Sequence, residues 1–325
     1  MKVIIPLAGM GSRLKPFTLT KAKAMVAVAG KPVLEHILDQ LVQSKLSISE
    51  VVFVTGYLGE QIEAYISKKK YPFTTTFVRQ TELAGQAHAI HLAREYITEP
   101  VIIWFVDTIA DPDLSVLEEL REGMIYVKEV ADPLRFGQVQ EENGKVTKLE
   151  EKADPPISFL VNIGLYYVYD YKLLLSCTEK LITEGEKRKG EFYLMDVFSM
   201  MLEQGVTFRV ATVSIWEDCG IPEAFLQTNK YLLSQKEHHV PSLPGVTLVP
   251  PVVIHETAKI TNATIGPYVA VGEGAVIDNA TIKNSIVLEH AHIANAKLNE
   301  SMIGDYAIVK NHNGALIVGP HSILE

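Results

Sequence analysis

Apolar positions along this chain follow two different rhythms. From Met1 to about Ser234, short apolar runs alternate with amphipathic segments: "KVIIPL", then "PVLEHILDQLVQ", "VVFVT", "GEQIEAYISKK", "FTTTFV", "QAHAIHLAREYI" and "VIIWFV". In the second segment Val33, Leu34, Ile37, Leu38, Leu41 and Val42 share one helical face, and Pro32 suits a first helical turn. Short apolar strands separated by such helices predict βαβ units and a mostly parallel sheet covered on both faces. Residues 1–235 are therefore read as a domain of the α/β class.

The second rhythm starts after a polar stretch, "SQKEHHVPSLPG", whose two spaced prolines mark a linker over 236–245. From Val246 onward apolar residues recur every five or six positions: Ile254, Ile260, Ile265, Val271, Ile277, Ile282, Val287, Ile293, Leu298 and Ile303. No helix has that period. The words "NATI" at Asn262, "NATIKNSIV" at Asn279 and "NAKLNESMI" at Asn295 repeat, the last two starting sixteen residues apart. This fits a triangular coil with three short strands per turn better than an antiparallel meander. The tail, 246–325, resembles the hexapeptide-repeat, left-handed parallel β-helix proteins, and its length suggests about four coils.

With 325 residues, 47% of them hydrophobic, the chain can bury a large core, and two domains are expected. A formal charge of -9 supplies no long-range field for nucleic acid or an anionic membrane, so any bound phosphate must be held by a local basic cluster. Cys177 and Cys219 have no paired spacing, which fits a reducing compartment, the cytoplasm by default. The N-terminal "VIIPLAG" is too short for a signal-peptide core, and no apolar run reaches the ~18 residues of a membrane span.

Candidate chemistry begins at Gly9-Met10-Gly11-Ser12-Arg13-Leu14, directly after the first strand. A Walker A loop needs a Gly-Lys-Ser/Thr ending, and a dinucleotide fingerprint needs a small residue where Leu14 stands. Neither fits. What remains is a glycine turn whose backbone N–H groups can approach an anion, with Arg13 beside it and Lys23 ten residues on. The guanidinium fork and the mobile ammonium together suit a polyphosphate, while the glycines alone also read as a tight turn. The ordered string Gly9, Gly11, Ser12, Arg13, Pro16, Thr18, Lys23 and "VAGKP" resembles the signature of the sugar-1-phosphate nucleotidyltransferases. That family's spacing selects Lys23 over Lys21. The resemblance implies a Rossmann-like fold for the first domain, with Leu7, Ala8, Gly9, Gly11 and Ser12 lining a nucleotide and Arg13 and Lys23 acting in catalysis.

Further phrases follow in the family's order over residues 2–230. "VRQTELAGQAHAI" resembles its base-reading loop, which gives Gln80 a pyrimidine edge and sets Gly85 against the base. By itself that segment reads as a polar loop opening a helix. Asp107, after "VIIWFV", places a carboxylate at the carboxyl end of a strand, where open α/β sheets bind ligands. The family's glycine before this aspartate is missing from "FVDTIAD", and Asp111 also reads as a turn or cap before Pro112.

Asp218 in "WEDCG" matches the family's second metal ligand and also reads as a helix cap, with Glu217 adjacent. Asp107 and Asp218 would then hold Mg²⁺, a hard cation that combines one or two carboxylates with substrate phosphates and water. For the sugar phosphate the resemblance implies Gly137 in "FGQV", Glu151 and Lys152 in "KLEEKAD", Asn162 and Gly164 in "LVNIG", and Glu191 in "KGEFYLMD". Ala153 stands where the family has proline, and Asp196 also reads as a support for its own helix.

The implied activity is transfer of a nucleotidyl group from a nucleoside triphosphate, UTP first and dTTP second, to a sugar 1-phosphate, with glucose favoured. The wording is nearest to the glucose-1-phosphate uridylyltransferases and thymidylyltransferases. A guanylyltransferase acting on mannose 1-phosphate is the alternative within the family. A silent regulatory homologue would be expected to lose Arg13, Lys23 or the aspartates, and all are present. An acyltransferase β-helix would need a catalytic histidine, for which His255, His290, His292, His312 and His321 are candidates. The β-helix is instead expected to pair with its counterparts in a homo-oligomer.

Overall fold

The computed structural model describes residues 1–235 and 243–325, so most of the expected linker at 236–245 lies outside the described residues. Contacts divide the chain into two compact units, Met1–Gly9 with Ile37–Trp216, and Met10–His36 with Glu217–Glu325. Six α-helices occur along the described chain: α1 (Val33–Gln43), α2 (Gly59–Ile66), α3 (Gln86–Leu92), α4 (Tyr171–Glu184), α5 (Leu194–Glu203) and α6 (Pro222–Ser234). Pro32 belongs to a short strand whose partner is Ala27, so α1 starts one residue after the proline. None of these helices is long and apolar enough to cross a membrane.

The first unit is built on a nine-stranded sheet. Its order is Thr74–Arg79, Glu50–Thr55, Lys2–Pro6, Val101–Trp104, Leu160–Val168, Gly123–Glu129, Phe208–Thr212, Lys145–Glu151, Gly137–Glu142. Lys2–Pro6 runs parallel to both of its neighbours, and Glu50–Thr55 runs parallel to Thr74–Arg79. Val3, Ile4, Ile5 and Val51 to Val54 are wholly buried, because helices cover both faces of a parallel sheet and leave no position for a polar alternate. Beyond Val101–Trp104 the pairing is mixed: Leu160–Val168 runs antiparallel to Val101–Trp104 and to Gly123–Glu129, while Phe208–Thr212 runs parallel to Gly123–Glu129. The fold is of the α/β class, as the pattern predicts, and its sheet is mixed. Ile90, Tyr166, Leu174, Phe198 and Phe208 fill one continuous core between sheet and helices.

Three five-stranded parallel sheets in the second unit form the faces of a prism that fits the expected left-handed β-helix. Register joins Ile260 to Ile277, Ile277 to Ile293 and Ile293 to Val309, and likewise Ile265 to Ile282 and Ile282 to Leu298, at steps of sixteen or seventeen residues. These side chains make the core of the prism. The repeated "NA" words have a backbone cause: Asn262, Asn279, Asn295 and Asn311 all take left-handed φ between 48° and 54° at one corner. Asparagine tolerates that conformation because its short amide bonds locally, and Asn279 Nδ2 donates to Asn295 Oδ1 at 2.7 Å. Each face carries five strands where the spacing suggested about four coils; the fifth closes with the short, exposed pair Ile323–Leu324.

Candidate active site

In the second unit the glycine-rich segment folds as three 3₁₀ turns, Ser12–Leu14, Phe17–Leu19 and Lys23–Met25. No α-helix follows the glycines directly, in keeping with the failure of both familiar phosphate-loop patterns. Gly11 has φ +62°, and a Cβ there would stand 3.0 Å from both Lys23 Cβ and Thr18 Cγ2. Thr18 Oγ1 donates to Gly11 O at 2.9 Å, which closes the loop on itself. Leu14 is wholly buried, so the side chain that breaks the dinucleotide pattern is a core residue. Ser12 and Arg13 are exposed, and Lys23 is half-buried with its stem against Gly11.

Arg13 and Asp218 meet over Gly220. A Cβ on Gly220 would lie 2.8 and 3.3 Å from the two Asp218 carboxylate oxygens and 3.1 Å from Arg13 Nη2. Asp218 does not cap α6, whose N-cap is Ile221 and receives no side-chain bond. The neighbouring Glu217 is pushed above the ordinary glutamate range by burial, against a bond from Thr228. Cys219 is wholly buried, its Sγ 3.7 Å from Thr228 Oγ1. Glu217 and Cys219 thus turn toward Thr228 of α6.

In the first unit Leu7 and Ala8 are buried, with Leu7 N–H donating to Val54 O at 2.8 Å and Tyr57 N–H to Ala8 O at 3.3 Å. A Cβ on Gly9 would meet nothing within 4 Å, so the protein's own packing does not require glycine there. Asp107 sits in a turn beyond Val101–Trp104. Phe105 N–H donates to Gly164 O at 2.8 Å, Thr108 N–H to Phe105 O at 3.2 Å, and Trp104 Nε1 to Thr108 O at 3.2 Å. These bonds hold the turn without the family's glycine. Asp111 caps no helix; its Oδ1 accepts Ile215 N–H at 2.7 Å and ties two loops together.

Gln80 is 4% exposed, and its Nε2 donates to Gly85 O at 3.1 Å and lies 3.1 Å from His88 Nδ1. Gly85, at φ +100°, heads α3; a Cβ there would stand 2.5 Å from Phe192 O and 3.0 Å from Glu191 Cβ. The expected base loop is thereby stitched to the segment that carries Glu191, with Phe192 N–H donating to Ala84 O at 2.8 Å. Glu191 itself is exposed.

Three strands bring Gly137, Glu151 and Asn162 together. A Cβ on Gly137 would lie 2.1 Å from Asn162 Nδ2 and 2.8 Å from Glu151 Oε2, so any side chain there would displace Asn162. Asn162 Nδ2 donates to Gly137 O at 3.0 Å, and Asn162 Oδ1 accepts from Gly164 N at 3.2 Å and from the Tyr166 hydroxyl. Gly164, at φ +80°, interrupts the strand register where Phe105 packs on it, a Cβ there standing 2.9 Å from the ring.

Burial lifts the Glu151 carboxyl above its ordinary value, opposed by Lys152 and Arg188. Lys152, at φ +52°, places Nζ 3.2 Å from Glu151 Oε1 and 5.0 Å from the Tyr193 ring centroid. Arg188 stacks on the same ring at 5.3 Å and pairs with Asp196 through two nitrogens. Burial pushes the Tyr166 hydroxyl far above the usual range, with the charges of Glu151 and Asp107 adding to it.

Sequence reasoning missed Tyr166, Arg188 and Tyr193. The run Lys187-Arg188-Lys189 directly before Gly190-Glu191 was a signal for Arg188. The two aromatics offered none beyond strand and helix propensity. Among the described residues no group of three or more His, Cys, Asp or Glu is arranged to hold a metal. Asp107 in the first unit and Asp218 in the second carry carboxylates, the hard oxygen donors that suit magnesium, an ion that completes its shell with phosphate oxygens and water.

Residues 2–235 match the family model described as "Nucleotidyl transferase", and residues 248–319 match one described as "GMPPB C-terminal domain". The bifunctional protein GlmU of Methanocaldococcus jannaschii is 30% identical over 72% of this chain; the match spans 55% of the relative. UTP–glucose-1-phosphate uridylyltransferase AglF of Haloferax volcanii is 30% identical over 69% of this chain and 93% of its own length. The mannose-1-phosphate guanylyltransferase catalytic subunit beta of Drosophila melanogaster is 31% identical over 80% of this chain and 70% of its own. A UDP-glucose pyrophosphorylase crystallised with UDP-glucose shares the fold, with a TM-score of 0.61 at 20% identity over 72% of this chain and 99% of that one.

Proposed function

This chain belongs to the nucleotidyl transferase family, and on that premise we propose that it joins a nucleoside triphosphate to a sugar 1-phosphate, releasing pyrophosphate. The observation that carries this reading is the convergence of Arg13 Nη2 and the Asp218 carboxylate over Gly220, beside a glycine turn braced by Thr18 and Lys23. An anion-neutralising fork next to a metal-type carboxylate suits a polyphosphate.

In the proposed reaction an oxygen of the sugar phosphate forms a bond to the α-phosphorus while the bond to the bridging oxygen breaks and pyrophosphate leaves. That oxygen is already ionised near neutral pH, so no general base is needed. Positioning and charge neutralisation lower the barrier. Arg13 would neutralise the departing pyrophosphate, and Lys23 would hold the triphosphate. Lys152 would hold the sugar phosphate, with Glu151, Asn162 and Glu191 accepting or orienting hydroxyls around Gly137. Gln80 and Gly85 would receive the base, and Leu7, Ala8, Gly9, Gly11 and Ser12 the nucleotide. Asp107 and Asp218 would hold Mg²⁺, which supplies orientation and charge neutralisation at the phosphates when bound.

UTP and glucose 1-phosphate are the substrates we favour, supported by the wording of the Gln80 loop and by the uridylyltransferase relative that the chain nearly spans. GTP with mannose 1-phosphate is the second reading, supported by the guanylyltransferase relative and the family match of the tail. The same reading places the protein in the cytoplasm, where buried thiols such as Cys177 and Cys219 stay reduced, as an oligomer formed through the β-helix. Pyrophosphate release with Mg²⁺, over UTP, dTTP and GTP against glucose, N-acetylglucosamine and mannose 1-phosphates, tests it. Release that needs both partners and peaks for one pair supports the proposal; none with any pair refutes it.

A further inference from the structure

The loop that carries Arg13 and Lys23 has little structure of its own to hold it. Its 3₁₀ turns span three residues each, too short to be stable unsupported. Several of its supports come from elsewhere in the second unit. Pro16 packs where a Cβ on Gly319 would stand 2.6 Å from its Cγ, and a Cβ on Gly30 would stand 2.5 Å from Val253 Cγ1. Ala29 N–H donates to Asn229 Oδ1 at 3.0 Å, and Asn229 Nδ2 to Tyr268 O at 3.2 Å.

Lys21 supplies a charged support. Its Nζ lies 3.0 Å from Glu289 Oε1 and 3.0 Å from Asp305 Oδ1. These carboxylates occupy one corner of successive coils: His290 N–H donates to Glu273 O, Tyr306 N–H to Glu289 O and His321 N–H to Asp305 O. Stacked like charges repel, and the Asp305 side chain is only 8% exposed while also accepting Glu289 N–H at 3.1 Å. One ammonium shared by two of them relieves that repulsion and fixes the loop to two coils at once. Breaking such a pair leaves an uncompensated charge in a poorly solvated place.

We propose that Lys21 is a positioning residue through which the β-helix holds the glycine-rich loop in the geometry that binds the nucleotide. The link to nucleotide binding rests on the function proposed above; the link to loop order does not. On this account the tail is a platform for the loop as well as a surface for assembly.

The full-length protein carrying Lys21→Met, Lys21→Arg or Glu289→Gln provides the test, with two readouts. Hydrogen exchange at the amides of Leu14, Leu19, Met25 and Val26, which all bond within the loop, should speed up about tenfold in Lys21→Met. Exchange at Ile286 and Met302 inside the prism should stay slow. Kinetically, Lys21→Met should raise the nucleotide KM or lower kcat by roughly tenfold to a hundredfold, with the sugar-phosphate KM unchanged and Lys21→Arg largely restored.

Glu289→Gln keeps Asp305 and should give a smaller change in the same amides, which tests the contact without disturbing the buried carboxylate. Unchanged exchange at the four loop amides in Lys21→Met overturns the proposal, as does a lower melting temperature with an unaltered nucleotide KM and kcat. A wild-type protein that turns over no substrate would defeat the functional reading alone, since the exchange experiment still reports on Lys21.

Discussion

The mixed sheet of the first unit and the prism of the second solve the burial problem in opposite ways. In the sheet unit each polar residue near the candidate site occupies a place made once: Asn162 serves Gly137, Gly164 and Tyr166 together, and Gly85 exists because Phe192 lies against it. In the prism the same place is made again every sixteen or seventeen residues, and Asn262, Asn279, Asn295 and Asn311 hold one corner interchangeably. A unique place concentrates the effect of a substitution, whereas a repeated place confines it to neighbouring coils.

The sharpest way to test this contrast is through catalysis. Arg13→Ala should lower kcat by about 10²–10³ while leaving the melting temperature unchanged, because an exposed guanidinium contributes to charge neutralisation and little to packing. A steady-state assay beside a thermal melt checks both halves.

Next in size is Gly85→Ala, whose methyl would meet the Phe192 backbone at a left-handed φ. It should destabilise the fold by about 2–4 kcal/mol, read from urea unfolding. In the prism, Ile282→Ala opens a cavity in a fully buried column and should cost about 2–5 kcal/mol, against under about 0.5 for Ile323→Ala on the exposed last coil. Equal costs at the two positions would break the picture of a core that ends with its final coil.

The smallest effect concerns sign. Burial raises the folded-state pKa of Glu151, so the folded protein holds that proton more tightly than the unfolded chain, and the resulting stability is lost as pH rises through the folded value. Glu151→Gln, which cannot ionise, should therefore melt at or slightly above the wild-type temperature near neutral pH while losing activity. The difference should vanish below the ordinary glutamate range. A variant that melts lower at neutral pH would show that the Lys152 pair outweighs the burial.

Much of this was legible in the sequence because backbone chemistry leaves marks. The apolar runs of a covered parallel sheet and the asparagines of a left-handed corner are such marks, and both match the structure. Less legible was anything decided by partners far along the chain. The grouping of residues 10–36 with 217–325 depends on contacts such as Lys21 with Asp305, which no local pattern encodes. The need for glycine at 164 also comes from Phe105, which packs against it from a distant point in the chain.

The number of coils was obscured by substitutions at the end of the prism. Gly314 stands in register with Leu298, and His312 takes the place held by Ala263, Ala280 and Ala296 in earlier coils, so the apolar rhythm fades before the coil does. Tyr166 looked like any buried strand residue; its bond to Asn162 ties it to the site.

The central claim is that this chain transfers a nucleotidyl group, and the reverse reaction tests it most directly. Phosphorus NMR would follow UDP-glucose and GDP-mannose, each with pyrophosphate and Mg²⁺, in wild-type protein and in Arg13→Ala. The account predicts equal amounts of nucleoside triphosphate and sugar 1-phosphate from one of them, with that formation slowed about 10²–10³-fold in Arg13→Ala. Folded wild-type protein that leaves both nucleotide sugars intact, or an Arg13→Ala variant that forms the triphosphate at the wild-type rate, would contradict it.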